Sequence, residues 1–257
     1  MSSSASVHGA LTQLGGFAGA WLASWWRVVR FAALLLALVL SPSSHSPPNR
    51  RALMQHLVVG TLQPLLGFTI VCTLINLVLV RIVLVTSFSY GLSQYALEMV
   101  VRVLMLELIP LTAALFAALR CTIPNAVEIA SLPPGRHLLV QEVLPRVAAG
   151  VFCALMLAAV SCVVTLVVAY LSVYGLTASG FAAYTHTVGQ VFDGAVSLVF
   201  GLKIVLLGVA VALLPAATVL DPALRDRSKT SAELRGLVRM FLVILLIEAA
   251  SLVGNYY

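Results

Sequence analysis

The chain has 257 residues, of which 61% are hydrophobic and only 9% are charged. Soluble globular domains carry about 25% charged residues, so a largely water-facing surface is excluded and lipid must cover most of the molecule. The net charge of +6 is too small, and its cations too scattered, to form a nucleic-acid-binding surface. We therefore expect an all-α membrane protein whose spanning helices need about 20 residues each.

The N-terminal segment, residues 7–40, differs from the rest of the chain. Three tryptophans are followed by two arginines and by an apolar run that is too short to cross a bilayer. Tryptophan and arginine favour the membrane–water interface. The pattern favours an interfacial helix over a first spanning helix, within an N-terminal unit of residues 1–49 that ends in a Ser/Pro-rich hinge. The clustered residues are Trp21, Trp25, Trp26, Arg27 and Arg30.

Residues 50–257 form a second unit with five apolar segments, each long enough to span a membrane. The segments begin near Leu57, Tyr95, His137, Val191 and Gly236. Polar and turn-forming residues predict the connections between them. We expect a turn within 82–95, a polar inner loop at 120–136 and an outer loop at 171–190.

The cations predict the orientation of the chain. If the N-terminus, residues 120–146 and residues 221–239 face the cytoplasm, 12 of the 15 basic residues lie on that side. The positive-inside rule favours this orientation over its opposite. With five spans, it places the N-terminus in the cytoplasm and the C-terminus outside.

Four ionisable residues fall inside the predicted spans, where a charge is costly and usually marks a pathway. Arg102 can pair with Glu98, four residues earlier on the same helix. Glu107 can pair with Arg102 or Lys203, or can contact a ligand. Lys203 can attract a phosphate headgroup or neutralise Glu248. The four candidates are Arg102, Glu107, Lys203 and Glu248.

Four stretches, in order, resemble the MlaE/YrbE permeases. Leu104 to Arg120 reads LMLELIPLTAALFAALR and is similar to the family signature RELGPVLTALLVAGR. Residues 126–134 (AVEIASLPP) resemble ALEVMGIDP, and residues 203–214 (KIVLLGVAVALL) resemble KALVFGLIIALV. Residues 239–253 resemble the last family helix, with Glu248 where an Asp is usual.

The resemblance implies a permease subunit of an ABC transporter in the bacterial inner membrane. Such a subunit would move phospholipid between that membrane and a periplasmic MCE-domain protein, in a system that maintains outer-membrane lipid asymmetry. A separate ATPase and a second permease copy, as a homodimer, are the expected partners. The lipid pathway would use Glu107, Lys203, Glu248 and Arg102, and ATPase coupling would use Arg120, Glu128 and Arg136.

The chain also departs from the family pattern. Leu106 replaces the Arg before the signature Glu, and Ile109 replaces the Gly. The stretch between Arg120 and Ala126 is shorter than in the family, where it belongs to the segment that docks on the ATPase. A scaffolding or degenerate permease-like partner is therefore the alternative. An ion channel is a third class, and an enzyme is disfavoured because no catalytic, cofactor or metal motif is apparent.

Overall fold

A computed structural model describes residues 23–35, 37, 47–91, 95–131, 139–220 and 229–256. All elements in these ranges are helical, which is how an apolar chain satisfies its backbone polar groups in lipid. We label them α1 (23–35), α2 (Pro47–Ser89), α3 (96–131), α4 (139–174), α5 (Phe181–Val191), α6 (Gly194–Leu220) and α7 (Lys229–Tyr256). A short 3₁₀ turn, Ala178–Gly180, precedes α5.

Five of these helices are long and apolar enough to cross a membrane. The spanning portions are Gly60–Ser89, Leu97–Ser131, Gln141–Tyr174, Gly194–Leu220 and Leu234–Gly254. The predicted all-α membrane class and its five spans are therefore confirmed.

The bundle is built around α4 and α6. Helix α2 packs along α4, α6 packs against both α4 and α7, and α3 contacts α4 and α6. Small residues line these contacts, as is usual where helices associate by close packing in lipid. In contrast, α2 carries an exposed apolar stripe at four-residue spacing, which fits lipid or another apolar surface. The stripe comprises Leu62, Leu66, Ile70 and Leu74.

Helix α3 is longer than predicted and is irregular. Its α-helical portions Ala96–Val100, Ile109–Ala117 and Ile123–Ser131 alternate with π-helical turns at Val101–Leu108 and Ala118–Thr122. The predicted inner loop at 120–136 is thus wrong for residues 120–131, which continue the helix. Polar residues mark a helix end only statistically, and here the π turn carries the helix past Arg120.

Two other predicted connections are shorter than expected. Helix α2 continues to Ser89, so the turn within 82–95 is confined to the last residues of that range.

Helix α4 ends at Tyr174 before Gly175, whose φ of 67° suits glycine. The predicted outer loop at 171–190 instead contains α5. Tyr184 anchors α5 by donating a 2.8 Å hydrogen bond to the Leu166 carbonyl, and burial raises the pKa of Tyr184 to about 12.

Helix α1 is attached to the bundle through one face. Val28 and Leu35 are buried in the main apolar core. Ser24, on the same face, accepts a hydrogen bond from the guanidinium of Arg239 on α7, and both side chains are buried. The predicted N-terminal helix is thus present over 23–35, while the rest of segment 7–40 lies outside the described residues, apart from residue 37.

Candidate functional site

Three membrane-spanning helices meet at the ammonium group of Lys203. Its Nζ lies 2.5 Å from Oε2 of Glu107 on α3 and 2.9 Å from Oε1 of Glu248 on α7. A third hydrogen bond of 2.9 Å runs from Nζ to the backbone carbonyl of Leu106. An ammonium has three donors, so Lys203 is fully engaged. We call Lys203, Glu107 and Glu248 the charge cluster.

The sequence around Pro110 explains why the Leu106 carbonyl is available. In an α-helix this carbonyl would accept from the N–H of residue 110, but Pro110 has no N–H. The π-helical turn Val101–Leu108 ends immediately before this point. Lys203 thus donates to a carbonyl whose α-helical donor is removed by Pro110.

The charge cluster is buried unequally, and it holds two carboxyl groups for one ammonium group. Lys203 is 1% exposed at its side chain, whereas Glu107 and Glu248 are 15% and 14% exposed. Two carboxylates around one ammonium leave a formal charge of −1, which is costly within a membrane. Because the lysine is almost fully buried and the two glutamates are partly exposed, a ligand would contact the carboxylate oxygens of the cluster and not its ammonium group.

Arg102 pairs with Glu98 and not with the residues of the charge cluster. Its Nη2 is 3.1 Å from Oε1 of Glu98, and both side chains are more than a third exposed. The predicted pairing of Glu98 with Arg102 is confirmed. Of the four residues expected in a lipid pathway, Glu107, Lys203 and Glu248 are brought together. The fourth, Arg102, pairs with the exposed Glu98, one helical turn earlier.

An apolar cavity of about 210 Å³ lies between α2 and α3, and Leu108 is the first residue of α3 that lines it. Among the described lining residues, Asn76 and Cys72 form a polar edge and bond across to α4. Asn76 Nδ2 lies 2.7 Å from Thr165 Oγ1, and Cys72 Sγ lies 2.7 Å from Ser161 Oγ. The remaining lining is apolar apart from Thr112 and includes Phe68, Ile75, Leu108, Leu115, Phe116 and Leu119.

The residues expected to couple to an ATPase lie near the far end of α3. Arg120 and Glu128 line a polar cavity of about 370 Å³, whose other polar side chains include Gln63 and Asn125. Arg136 lies outside the described residues. The structure therefore brings two of the three residues to one cavity.

Arg146 is a residue that sequence reasoning did not single out. Its Nη2 lies 3.6 Å from Glu128 on α3 and 3.1 Å from Glu142 at the start of α4. Its side chain is only 12% exposed. Arg146 thus joins the two helices that flank residues 132–138. The i,i+4 spacing of Glu142 and Arg146 was the one signal in the sequence.

Together, five apolar spans and a buried charge cluster define a multispanning membrane protein, and the described residues contain no cluster of His, Cys, Asp and Glu that could hold a metal ion. The family model Permease MlaE matches residues 53–133 and 136–253. The chain belongs to the MlaE permease family. No curated protein sequence matches the chain at a significant level. Membership supports a membrane permease subunit of an ABC lipid transporter in the inner membrane.

Proposed function

We propose that the protein forms the membrane pathway for phospholipid in an ABC transporter, with the charge cluster at the headgroup end of that pathway. The observation that carries this proposal is the convergence of Glu107, Lys203 and Glu248 from three membrane-spanning helices. An apolar cavity between α2 and α3, lined by other residues of α3, supports it. A lipid needs this combination of an apolar chamber and a few fixed polar groups.

The geometry supports different roles for the three residues. All three donors of Lys203 are used within the protein, so its role is to position the two carboxylates. Glu107 and Glu248 are the groups that contact lipid. Arg102, paired with Glu98 at the exposed side of α3, meets the headgroup before it reaches the cluster.

The remaining partners are proposed from family membership. An ATPase binds at the Arg120, Glu128 and Arg136 end, and an MCE-domain protein exchanges lipid at the periplasmic face. A second copy packs against the exposed apolar stripe of α2 to give a homodimer. The basic residues support a cytoplasmic N-terminus and a periplasmic C-terminus.

The test is ATP-dependent lipid transfer between the reconstituted complex and acceptor vesicles. Glu107→Gln keeps the size of the side chain but removes its charge, so transfer should fall about tenfold or more, because a hydrogen bond to a charged group is worth about 1.5–3 kcal/mol. Asp193→Asn is the control, because this exposed carboxylate accepts from the N–H of Val196 at the start of α6, and it should transfer normally. Normal transfer by Glu107→Gln, with the ATPase still bound, would overturn the assignment.

A scaffolding role is the second candidate. Helix α3 runs without a break through the position where the family's coupling segment is shortened, and this favours weakened coupling. Co-purification separates the two candidates. An ATPase retained in detergent supports the transporter, whereas its reproducible absence supports the scaffold.

A further inference from the structure

Two cysteine thiols meet where α3 packs against α4. Cys121 Sγ on α3 lies 2.9 Å from Cys153 Sγ on α4, and both cysteines are reduced. The exposed fraction is 6% for Cys121 and 0% for Cys153. A disulfide bond needs about 2.05 Å between its sulfur atoms, so the two thiols are less than about 1 Å from bonding distance. The fold therefore places them for a cross-link between two membrane-spanning helices.

The close approach of the two helices has a local cause in the sequence. Gly150 lies one turn before Cys153 on α4, and Thr122 follows Cys121 on α3. A Cβ on Gly150 would lie 2.8 Å from Thr122 Cγ2, so only glycine lets the two backbones come this close. The π-helical turn Ala118–Thr122 contains Cys121. The meeting of the thiols is thus part of the helix packing.

The hydrogen bonds of Cys121 fix the direction of its sulfur. Its S–H donates to the backbone carbonyl of Gly60 on α2, over 3.3 Å. The α-helical donor to this carbonyl is removed by Pro64, four residues later, which has no N–H. Because the hydrogen of Cys121 points to Gly60, its sulfur accepts from the S–H of Cys153. The two sulfur atoms therefore face each other.

The Cys121 thiol is also on a route to water. Cys121 lines the polar cavity of about 370 Å³ that Arg120 and Glu128 share. Gly60, its hydrogen-bond acceptor, is the first residue of the spanning portion of α2. The apolar portion of α3, Leu97–Ser131, is longer than the roughly 20 residues that a span needs, so its end extends beyond the hydrocarbon. Small water-soluble reagents can thus reach Cys121 first and Cys153 only through it.

We propose that Cys121 and Cys153 form a modification site, at which a hydroperoxide oxidises the two thiols to a disulfide that fastens α3 to α4. The sulfur of Cys121 attacks one peroxide oxygen and the O–O bond breaks, which gives a sulfenic acid and one molecule of water or alcohol. The sulfur of Cys153 then attacks the sulfenic sulfur. The S–S bond forms, the S–O bond breaks, and the departing hydroxyl leaves as water with the proton of Cys153. Two electrons pass from the sulfurs to the peroxide, and a dithiol reverses the change.

The cross-link is measured chemically and needs no transfer assay, so it and the proposed transport function can fail separately. Full-length protein in detergent is reduced, exposed to hydrogen peroxide, and then denatured in excess maleimide. Intact mass counts the thiols that the maleimide has labelled. We expect all four cysteines to be labelled before oxidation and two after it. Peptide mapping should join Cys121 to Cys153, and dithiothreitol should restore all four labels.

Single variants assign a role to each sulfur. Cys153→Ser removes the second thiol, so oxidation of Cys121 should stop at the sulfenic acid, which dimedone traps. Cys121→Ser should leave Cys153 as a thiol, because the Cys153 side chain has no exposed surface. Cys162→Ser lies outside the pair and is the matched control. It should form the cross-link at the wild-type rate.

Three results would overturn the proposal. One is a folded wild-type protein that keeps four labelled thiols after exposure to peroxide. Another is a disulfide that joins Cys72 to Cys162, or two separate chains, in place of Cys121 to Cys153. The last is an equal loss of the cross-link in Cys162→Ser and Cys121→Ser, which would mean that no particular pair of sulfurs is selected by the fold.

Discussion

Lys203 of α6 and Glu107 of α3 form an ion pair with 2.5 Å between Nζ and Oε2, although 96 positions separate them in the sequence. The Lys203 side chain of this pair is almost completely buried. Glu248 joins it from α7, so one ammonium group links three helices. This arrangement makes Lys203 a structural requirement as well as a neighbour of the proposed lipid pathway.

Replacing Lys203 with methionine should lower the free energy of unfolding by about 3–5 kcal/mol, because it leaves buried carboxylates without their cation. The measurement is denaturant-induced unfolding in detergent. Arg102→Met, which breaks an exposed ion pair, should change stability by less than about 1 kcal/mol. The triple variant Lys203→Met/Glu107→Gln/Glu248→Gln should recover most of the loss. If the triple variant does not recover stability, the loss in Lys203→Met comes from altered side-chain packing and not from carboxylates left without their cation.

Neutralising one carboxylate has a different expected result. Glu248→Gln removes the excess charge of the cluster, whose burial costs about 2.5–3.5 kcal/mol at the centre of a membrane. It also weakens a charged hydrogen bond worth about 1.5–3 kcal/mol. These effects nearly cancel, so stability should stay within about 1 kcal/mol of wild type in the same unfolding assay. A loss as large as that of Lys203→Met would show that both carboxylates must be ionised.

The sequence was sufficient to predict the five spans because apolar length is a direct requirement of the bilayer. It also nominated Glu107, Lys203 and Glu248, since intramembrane charges are rare and need partners. It did not decide between Arg102 and Lys203 as the partner of Glu107. That choice depends on the rotation of α3, which its π-helical turns alter. Pro110, which cannot donate to the Leu106 carbonyl, was the available signal for this acceptor, but the donor comes from a distant helix.

Close helix packing at Gly150 gives a test of the bundle itself. A Cβ added to Gly150 would lie 2.8 Å from Thr122 Cγ2 and 3.1 Å from Ala212 Cβ, so α3 and α6 would both have to move. Gly150→Ala should therefore lower the free energy of unfolding by about 1–3 kcal/mol. Gly201→Ala is the matched control in α6, where a Cβ meets nothing within 4 Å. It should be neutral or slightly stabilising, and equal losses in both variants would contradict the packing.

The polar contact between α2 and α4 should stabilise the fold through Asn76. Its Nδ2 donates to Thr165 Oγ1 at 2.7 Å, and this pair crosses between helices within the buried part of the bundle. Interhelical hydrogen bonds in membranes are worth about 0.6–1.7 kcal/mol, so Asn76→Ala should cost about 1 kcal/mol or slightly more. The matched variant is Thr73→Val, because the Thr73 hydroxyl bonds only to the Thr69 carbonyl of its own helix, at 2.7 Å. We expect denaturant-induced unfolding to shift for Asn76→Ala and to remain unchanged for Thr73→Val. The reverse order of the two losses would show that α2 is held by apolar contacts alone.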